Sequence, residues 1–143
     1  MARLFNISEA ANIAIHSMTL IAASEKTLNS LQISNMLNFS RNHVAKILQI
    51  LSRYGLISSK RGPQGGFKLK KPAAEISLYK IMELIDGKME PEHCRGNIEL
   101  CPFETCIYGI ERQRWFKEFV DYYSSCTIND FVLKTNPNEE KHN

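Results

Sequence analysis

Between Glu25 and Glu75 the chain has no acidic side chain at all. A polyanion laid along the surface built from that stretch meets no repulsion from carboxylates. Long apolar runs are missing too. None approaches the roughly 20 residues a helix needs to cross a bilayer, and the N-terminus lacks the basic, then apolar, then small-residue order of a signal peptide. The expected location is therefore cytoplasmic, with no membrane partner. Disulfides are disfavoured in that compartment, so clustered cysteines point to metal ligands or redox thiols ahead of structural staples. The sequence also lacks a C-x2-C pair, a G-x-x-x-x-G-K-[ST] phosphate loop, a dinucleotide fingerprint and a nucleophile elbow. Catalysis has none of its usual machinery here, and the chain is read as a protein other than an enzyme.

What is present is 143 residues, 43% hydrophobic, enough for one domain with a real core and a small appendage. The net charge of +3 hides a split. Residues 1–74 carry ten Lys or Arg against only Glu9 and Glu25, whereas residues 75–143 carry eight against thirteen acids. Charge alone leaves an anion-binding surface and an ordinary solvated face equally open.

Hydrophobic spacing separates them. Ser8 can cap a helix whose face is Ala10, Ile13, Ala14, Ser17, Leu20 and Ile21, running to about Ala23. Ser30 can cap a short second helix to about Leu37, and the break Asn38-Phe39-Ser40 leads into a third helix capped by Ser40. Two helices with a three-residue break read as helix-turn-helix. In the third, Val44, Ile47, Leu48 and Leu51 form the inward stripe, which leaves Asn42, Lys46, Gln49 and Arg53 facing out. Gly55 then ends the helix in a left-handed conformation that costs glycine no Cβ clash.

After Gly55, LISSK and FKLK alternate as two short strands joined by RGPQGG, a glycine-rich hairpin flanked by Lys60, Arg61 and Lys68. A basic hairpin after a helix-turn-helix is a wing. Duplex recognition needs such parts: a helix for the major groove, polar side chains at its N-terminal end for base edges, and cations for phosphate. Ser40, Arg41, Asn42, His43 and Lys46 occupy that end; Gln49, Arg53, Lys60, Arg61, Gln64 and Lys68 are placed for the backbone. The expected partner is double-stranded DNA.

A fourth helix is expected from Ser77 to Gly87 on Leu78, Ile81, Met82 and Ile85. Residues 88–106 then show no period, only Pro91, Gly96, Pro102 and three cysteines, and a loop of that length in a small domain needs something to order it. Helical spacing returns from Ile107 with Trp115, Phe116, Phe119, Val120 and Tyr123, a face too aromatic to stand alone in water. Thr127 caps a short closing helix, and a polar tail follows. The organisation read from this is a winged helix-turn-helix unit at 1–87, a cysteine-rich loop at 88–106, dimerisation helices at 107–134 and a tail at 135–143. The fold class is mainly α with one small β-hairpin.

The stretch SRNHVAKILQILSRYGLISSKRGPQGGFKLKKPAAEISL, followed by three cysteines before a long helix, resembles the winged-helix iron-sulfur repressor family that includes IscR and the nitric-oxide sensor NsrR, over roughly residues 1–133. SRNHVAKI and CTINDFV look more like the NsrR branch. The resemblance implies a homodimer crossing through the long helix, two recognition helices in successive major grooves of a near-palindromic operator, and an iron-sulfur cluster, 4Fe-4S or 2Fe-2S, whose state controls repression in response to nitric oxide, oxidants or iron shortage.

Carried over residue by residue, the ligands are Cys94, Cys101 and Cys106, spaced C-x6-C-x4-C. IscR-like proteins take a histidine three residues after the last cysteine; here that position is Gly109. NsrR-like proteins use an N-terminal carboxylate from the other subunit, and the matching residue in ISEAANIAI is Glu9. A carboxylate binds cluster iron more weakly than thiolate and leaves one iron open to attack. Competing readings are open: Glu9 as a simple helix-end carboxylate, His93 as the fourth ligand, a structural zinc on the same cysteines, a cluster-free thiol switch, or an iron-sulfur carrier that binds no DNA. Cys126 reads as a buried thiol outside the ligand set.

Overall fold

The computed structural model describes residues 7–91, 99, 101–106 and 111–132. Helix α1, Glu9–Ala23, starts where Ser8 accepts the Ala11 N–H at 2.9 Å. It buries Ala11, Ile13, Ala14, Ser17, Met18 and Ile21, whereas the expected Ala10 and Leu20 are only half-buried. The stripe is broader than a single amphipathic face because α1 is the central element of the fold, packed against α3, α4 and α6, introduced below. A helix with neighbours on several sides cannot keep one narrow seam.

Helix α2 is Ser30–Leu37 and α3 is Arg41–Arg53. The cap of α2 is a correction to the sequence reading. Asn29, not Ser30, accepts the Gln32 N–H at 2.9 Å, while the Gln32 side chain accepts the Asn29 N–H at 2.9 Å. This reciprocal pair satisfies two N–H groups that the helix start would otherwise leave open. Asn38, in the left-handed region at φ 56°, turns the chain, and Ser40 caps α3 by accepting the His43 N–H at 3.2 Å.

At the other end of α3, Gly55 adopts φ 72°. Its N–H donates to Ser52 and that of Leu56 reaches back to the Leu51 carbonyl, both at 3.0 Å. Leu51 and Leu56 are both buried beside this closing pair, which completes a Schellman motif. The stripe Val44, Ile47, Leu48 and Leu51 is buried as expected.

Strands β1, Ile57–Lys60, and β2, Gly66–Leu69, pair antiparallel in the register Ile57 to Leu69 and Lys60 to Gly66. The hairpin does not stand free. Phe67 N–H donates to the Leu28 carbonyl at 2.8 Å, and Thr27 Oγ1 donates to the Gln64 carbonyl at 2.9 Å, so the wing is fastened to the chain entering α2. Gly66 permits this approach: a Cβ there would fall 2.7 Å from the Leu28 carbonyl.

A single 3-10 turn, Ala73–Glu75, leads to α4, Leu78–Asp86, capped by Ser77 and closed by Gly87. Helix α5, Glu111–Ser125, has no fully buried residue; Phe119 and Tyr123 pack against the core edge while Trp115 and Tyr122 are exposed. The expected stretch 107–110 of this helix lies outside the described residues. Helix α6, Ile128–Val132, begins after Thr127, whose N–H and hydroxyl both donate to Asp130. Ile128 is completely buried, and the chain around it pairs with the entry to α4: Leu78 N–H donates to the Cys126 carbonyl at 2.9 Å and Ile128 N–H to the Ile76 carbonyl at 3.0 Å. The sequence reading groups α6 with the dimerisation helices; its packing on α1 and beside Ile76 makes it part of the core of the winged unit as well.

Candidate nucleic-acid interface and cysteine segment

The face of α3 opposite its buried stripe carries Arg41, Asn42, Lys46, Gln49 and Arg53, all exposed. The steps of four, three and four from Asn42 to Arg53 put them in one row, because 3.6 residues make a turn. Ser40, exposed at the start of the row, uses its hydroxyl oxygen as the cap acceptor and keeps its hydrogen to donate. Lys60, Arg61, Gln64 and Lys68 are exposed on the wing. Helix break, exposed polar row and hairpin therefore fall where the sequence places them.

His43 is different. Its ring is 36% exposed, and Nδ1 lies 3.1 Å from Glu9 Oε1 on α1. Glu9, expected as a cluster ligand, is in this chain the hydrogen-bond partner of an α3 residue. Among the described residues Glu9 is not gathered with Cys101 and Cys106. The N-terminus of α1 is itself held, since Ser8 Oγ donates to Asp86 Oδ1 at 2.6 Å.

Docking the wing on residues 27–28 creates a feature that the sequence reading missed. A cleft of about 710 Å³ runs between the hairpin and the start of α2, with Lys26, Lys60 and Lys68 on its walls together with Thr27, Asn29 and Gln32. No carboxylate lines it. Lys26 is remote from the wing in sequence, and only the pairing of Leu28 with Phe67 makes it a neighbour of Lys60 and Lys68. A clue in the sequence was the acid-free stretch, which begins at Lys26 itself.

Of the proposed ligands, Cys94 lies outside the described residues, as does His93. Cys101 and Cys106 are exposed free thiols in a segment without helix or strand. Exposed soft donors five residues apart fit an iron-sulfur centre by their chemistry. Among the described residues no group of three His, Cys, Asp or Glu is gathered for a metal. Cys126 is half-buried against the core edge, and hydrogen bonding with it pushes the Tyr122 hydroxyl above its ordinary value.

A family model described as Rrf2, iron-dependent transcriptional regulator, matches residues 7–134. The chain belongs to the Rrf2 family. Rrf2 proteins are transcriptional regulators and not enzymes, as the sequence reading had it. Similar curated relatives include protein aau3 of Rhizobium meliloti, 28% identical over 130 residues that span 88% of this chain and 84% of the relative. Another is YwgB of Bacillus subtilis, named among HTH-type transcriptional regulators, 31% identical over 128 residues that span 77% of this chain and 82% of the relative. In fold, this Rrf2 chain is similar to CymR, the global cysteine regulator of B. subtilis, with a TM-score of 0.74 at 21% identity over 93% of this chain and 100% of that one. It is equally similar to T. potens IscR, with a TM-score of 0.75 at 17% identity over 98% and 95%. At these identities the solved structures establish the winged-helix fold alone. No helix among the described residues of this Rrf2 protein is long and apolar enough to cross a membrane.

Proposed function

We propose that this Rrf2 regulator reads an operator with α3 in the major groove and the wing on the flanking backbone. The observation that carries the reading is the exposed row Arg41, Asn42, Lys46, Gln49 and Arg53 beside the carboxylate-free cleft of Lys26, Lys60 and Lys68. Arg and Asn can each make paired hydrogen bonds to a base edge, guanine O6/N7 and adenine N6/N7 respectively, whereas lysines on phosphate bind without regard to sequence. Gel-shift titration over a salt series separates the two roles. Arg41→Ala and Asn42→Ala lose preference for the operator over random duplex; Lys68→Ala weakens both duplexes alike and lowers the salt slope by about one. Identical behaviour of all three variants refutes base reading by α3.

The functional unit in this reading is a homodimer that represses from a near-palindromic site, with α5 at its two-fold axis. Exposed Trp115 and Tyr122 on a helix with no fully buried residue support a second copy covering it. Cys94, Cys101 and Cys106, with Glu9 of the partner subunit, would hold an iron-sulfur cluster, which would supply an iron held weakly enough to react with nitric oxide or oxidants. The cysteine segment follows α4, and α4 packs on α1 and α5, so ordering of the segment bears on both the reading unit and the dimer helix. Anaerobic purification with iron, acid-labile sulfide and zinc assayed together tests this. Iron and sulfide in equal amounts, lost on nitric oxide exposure, support it. Zinc alone replaces the cluster with a structural metal, and no metal leaves a thiol switch.

A further inference from the structure

The capping box of α2 sorts the donors and acceptors of the cleft beside the wing. Asn29 Oδ1 accepts the Gln32 N–H and Gln32 Oε1 accepts the Asn29 N–H, each at 2.9 Å, so both amide oxygens are turned to the backbone. What these two side chains bring to the cleft they line is therefore the amino group, a donor. The hairpin supplies the facing wall. Its register pairs Ser58 with Lys68 and Lys60 with Gly66, which puts Ser58, Lys60 and Lys68 on one face of the wing, with the two lysines as diagonal neighbours. Lys26 completes the set from the chain entering α2, while Glu25, the acid nearest in sequence, is not among the lining residues. Three ammonium groups around one cavity without a carboxylate repel one another, and an anion between them relieves the repulsion. The cleft of about 710 Å³ has the size of a small-molecule site and more room than one phosphate group fills.

We propose that this cleft is a binding site for a free oligophosphate, an ion of two or more linked phosphoryl groups. Its charge reaches from Lys26 on one wall to Lys60 and Lys68 on the other, and the Asn29 and Gln32 amino groups donate to its oxygens. Because the same lysines are assigned to the operator backbone, the bound ion competes with DNA and weakens operator binding without involving the cysteine segment. That consequence rests on the reading of the wing as a backbone contact; the site itself does not.

Equilibrium dialysis of the full chain against labelled pyrophosphate, without DNA and at a constant ionic strength of about 0.15 M, reads the site alone. Iron is assayed in the retained protein. Wild type should bind one pyrophosphate per chain, with orthophosphate at least about tenfold weaker because a single phosphoryl group cannot meet both walls. Gln32→Glu is the decisive variant. Glutamate keeps an oxygen for the Asn29 N–H, and with it the capping box, but replaces the amino donor by a carboxylate oxygen. Binding should fall at least about tenfold while the urea midpoint holds, and Lys26→Ala should lose as much. Asn35→Asp adds the same charge at an exposed position of α2 outside the cleft, where screening should limit its effect to about threefold or less. Equal losses in Asn35→Asp and Gln32→Glu overturn the proposal, since a general field and not a built site would then attract the ion. It is overturned as well by the absence of saturable binding, by orthophosphate bound as tightly as pyrophosphate, or by a probe that follows the iron content and ignores Gln32→Glu. Operator titration with and without saturating pyrophosphate tests the underlying reading separately. Competitive loss of operator binding supports both. Saturable binding that leaves operator affinity unchanged supports the site and defeats the placement of the wing on the DNA backbone, so the two failures are distinct.

Discussion

Replacing Gly66 with alanine isolates what the docked wing contributes to DNA binding. The backbone at Gly66 has φ 154°, and a Cβ added there lies 2.7 Å from both the carbonyl carbon and oxygen of Leu28. Neither of those is the end of a flexible side chain, so the hairpin must move away. The strained conformation costs about 1–3 kcal/mol for a residue with a side chain. Separation of Phe67 from Leu28 removes a 2.8 Å hydrogen bond whose net contribution is about 1 kcal/mol. The expected cost is thus about 2–4 kcal/mol, limited by what the docking itself is worth, because the wing can swing out while the helices stay folded.

Gly62→Ala is the matched control. It meets the same kind of backbone strain, at φ 112°, but a Cβ there has nothing within 4 Å. Fluorescence anisotropy against salt concentration reads the consequence directly. If the wing lies on the DNA backbone as proposed, undocking separates Lys60, Arg61 and Lys68 from phosphate. Each phosphate no longer neutralised lowers the slope of log affinity against log salt by about 0.9, so Gly66→Ala should lower it by about two to three. Gly62→Ala should leave the slope within about half a unit of wild type. An unchanged slope in Gly66→Ala, with its urea midpoint shifted, would show that the wing does not touch phosphate. Equal reductions in both variants would show that strain in the hairpin, and not its seat on Leu28, is what matters.

Other expectations are simpler. Leu48→Ala removes a completely buried α3 side chain and should cost about 2–5 kcal/mol in urea denaturation; less than about 1 would mean that this stripe is not core. Asn29→Ala removes the α2 cap and should cost about 1 kcal/mol, whereas Ser30→Ala should be nearly neutral, and a reversal of that order would restore Ser30 as the cap. Cys101→Ser and Cys106→Ser should each abolish anaerobic iron and sulfide content, while Cys126→Ser keeps it; iron lost equally in all three would place Cys126 in the ligand set.

Local rules made much of this fold legible in advance. Ser8 and Ser40 cap the helices they were expected to cap, the fourth helix starts beside the expected Ser77, and Gly55 and Gly87 end theirs, because caps are decided within a few residues. Asn29 defeated the same logic at α2. Both Asn29 and Ser30 are competent caps, and the choice went to the one whose partner three residues on, Gln32, could return the hydrogen bond. Pairings between distant residues were not legible. Nothing in the spacing says that Leu28 would seat Phe67, which makes Lys26 part of the basic cleft, or that Glu9 would reach His43. The broadened face of α1 has the same origin, since a helix packed from three sides buries positions that a single-face pattern assigns to the rim. The cysteine segment offered spacing and donor type but no periodicity, so its sequence carried chemistry without geometry.

The pairing of Ile76 with Ile128 also orders events in the life of the chain. Residues 9–86 contain every group proposed to touch DNA, yet their core stays open until Ile128, synthesised after the whole of α5, takes its place among them. A nascent chain that has not yet completed α5 therefore also lacks a closed winged unit. Synthesis must pass through the whole of α5 before the last buried residue of the winged unit is available, so that unit closes late in the making of the chain.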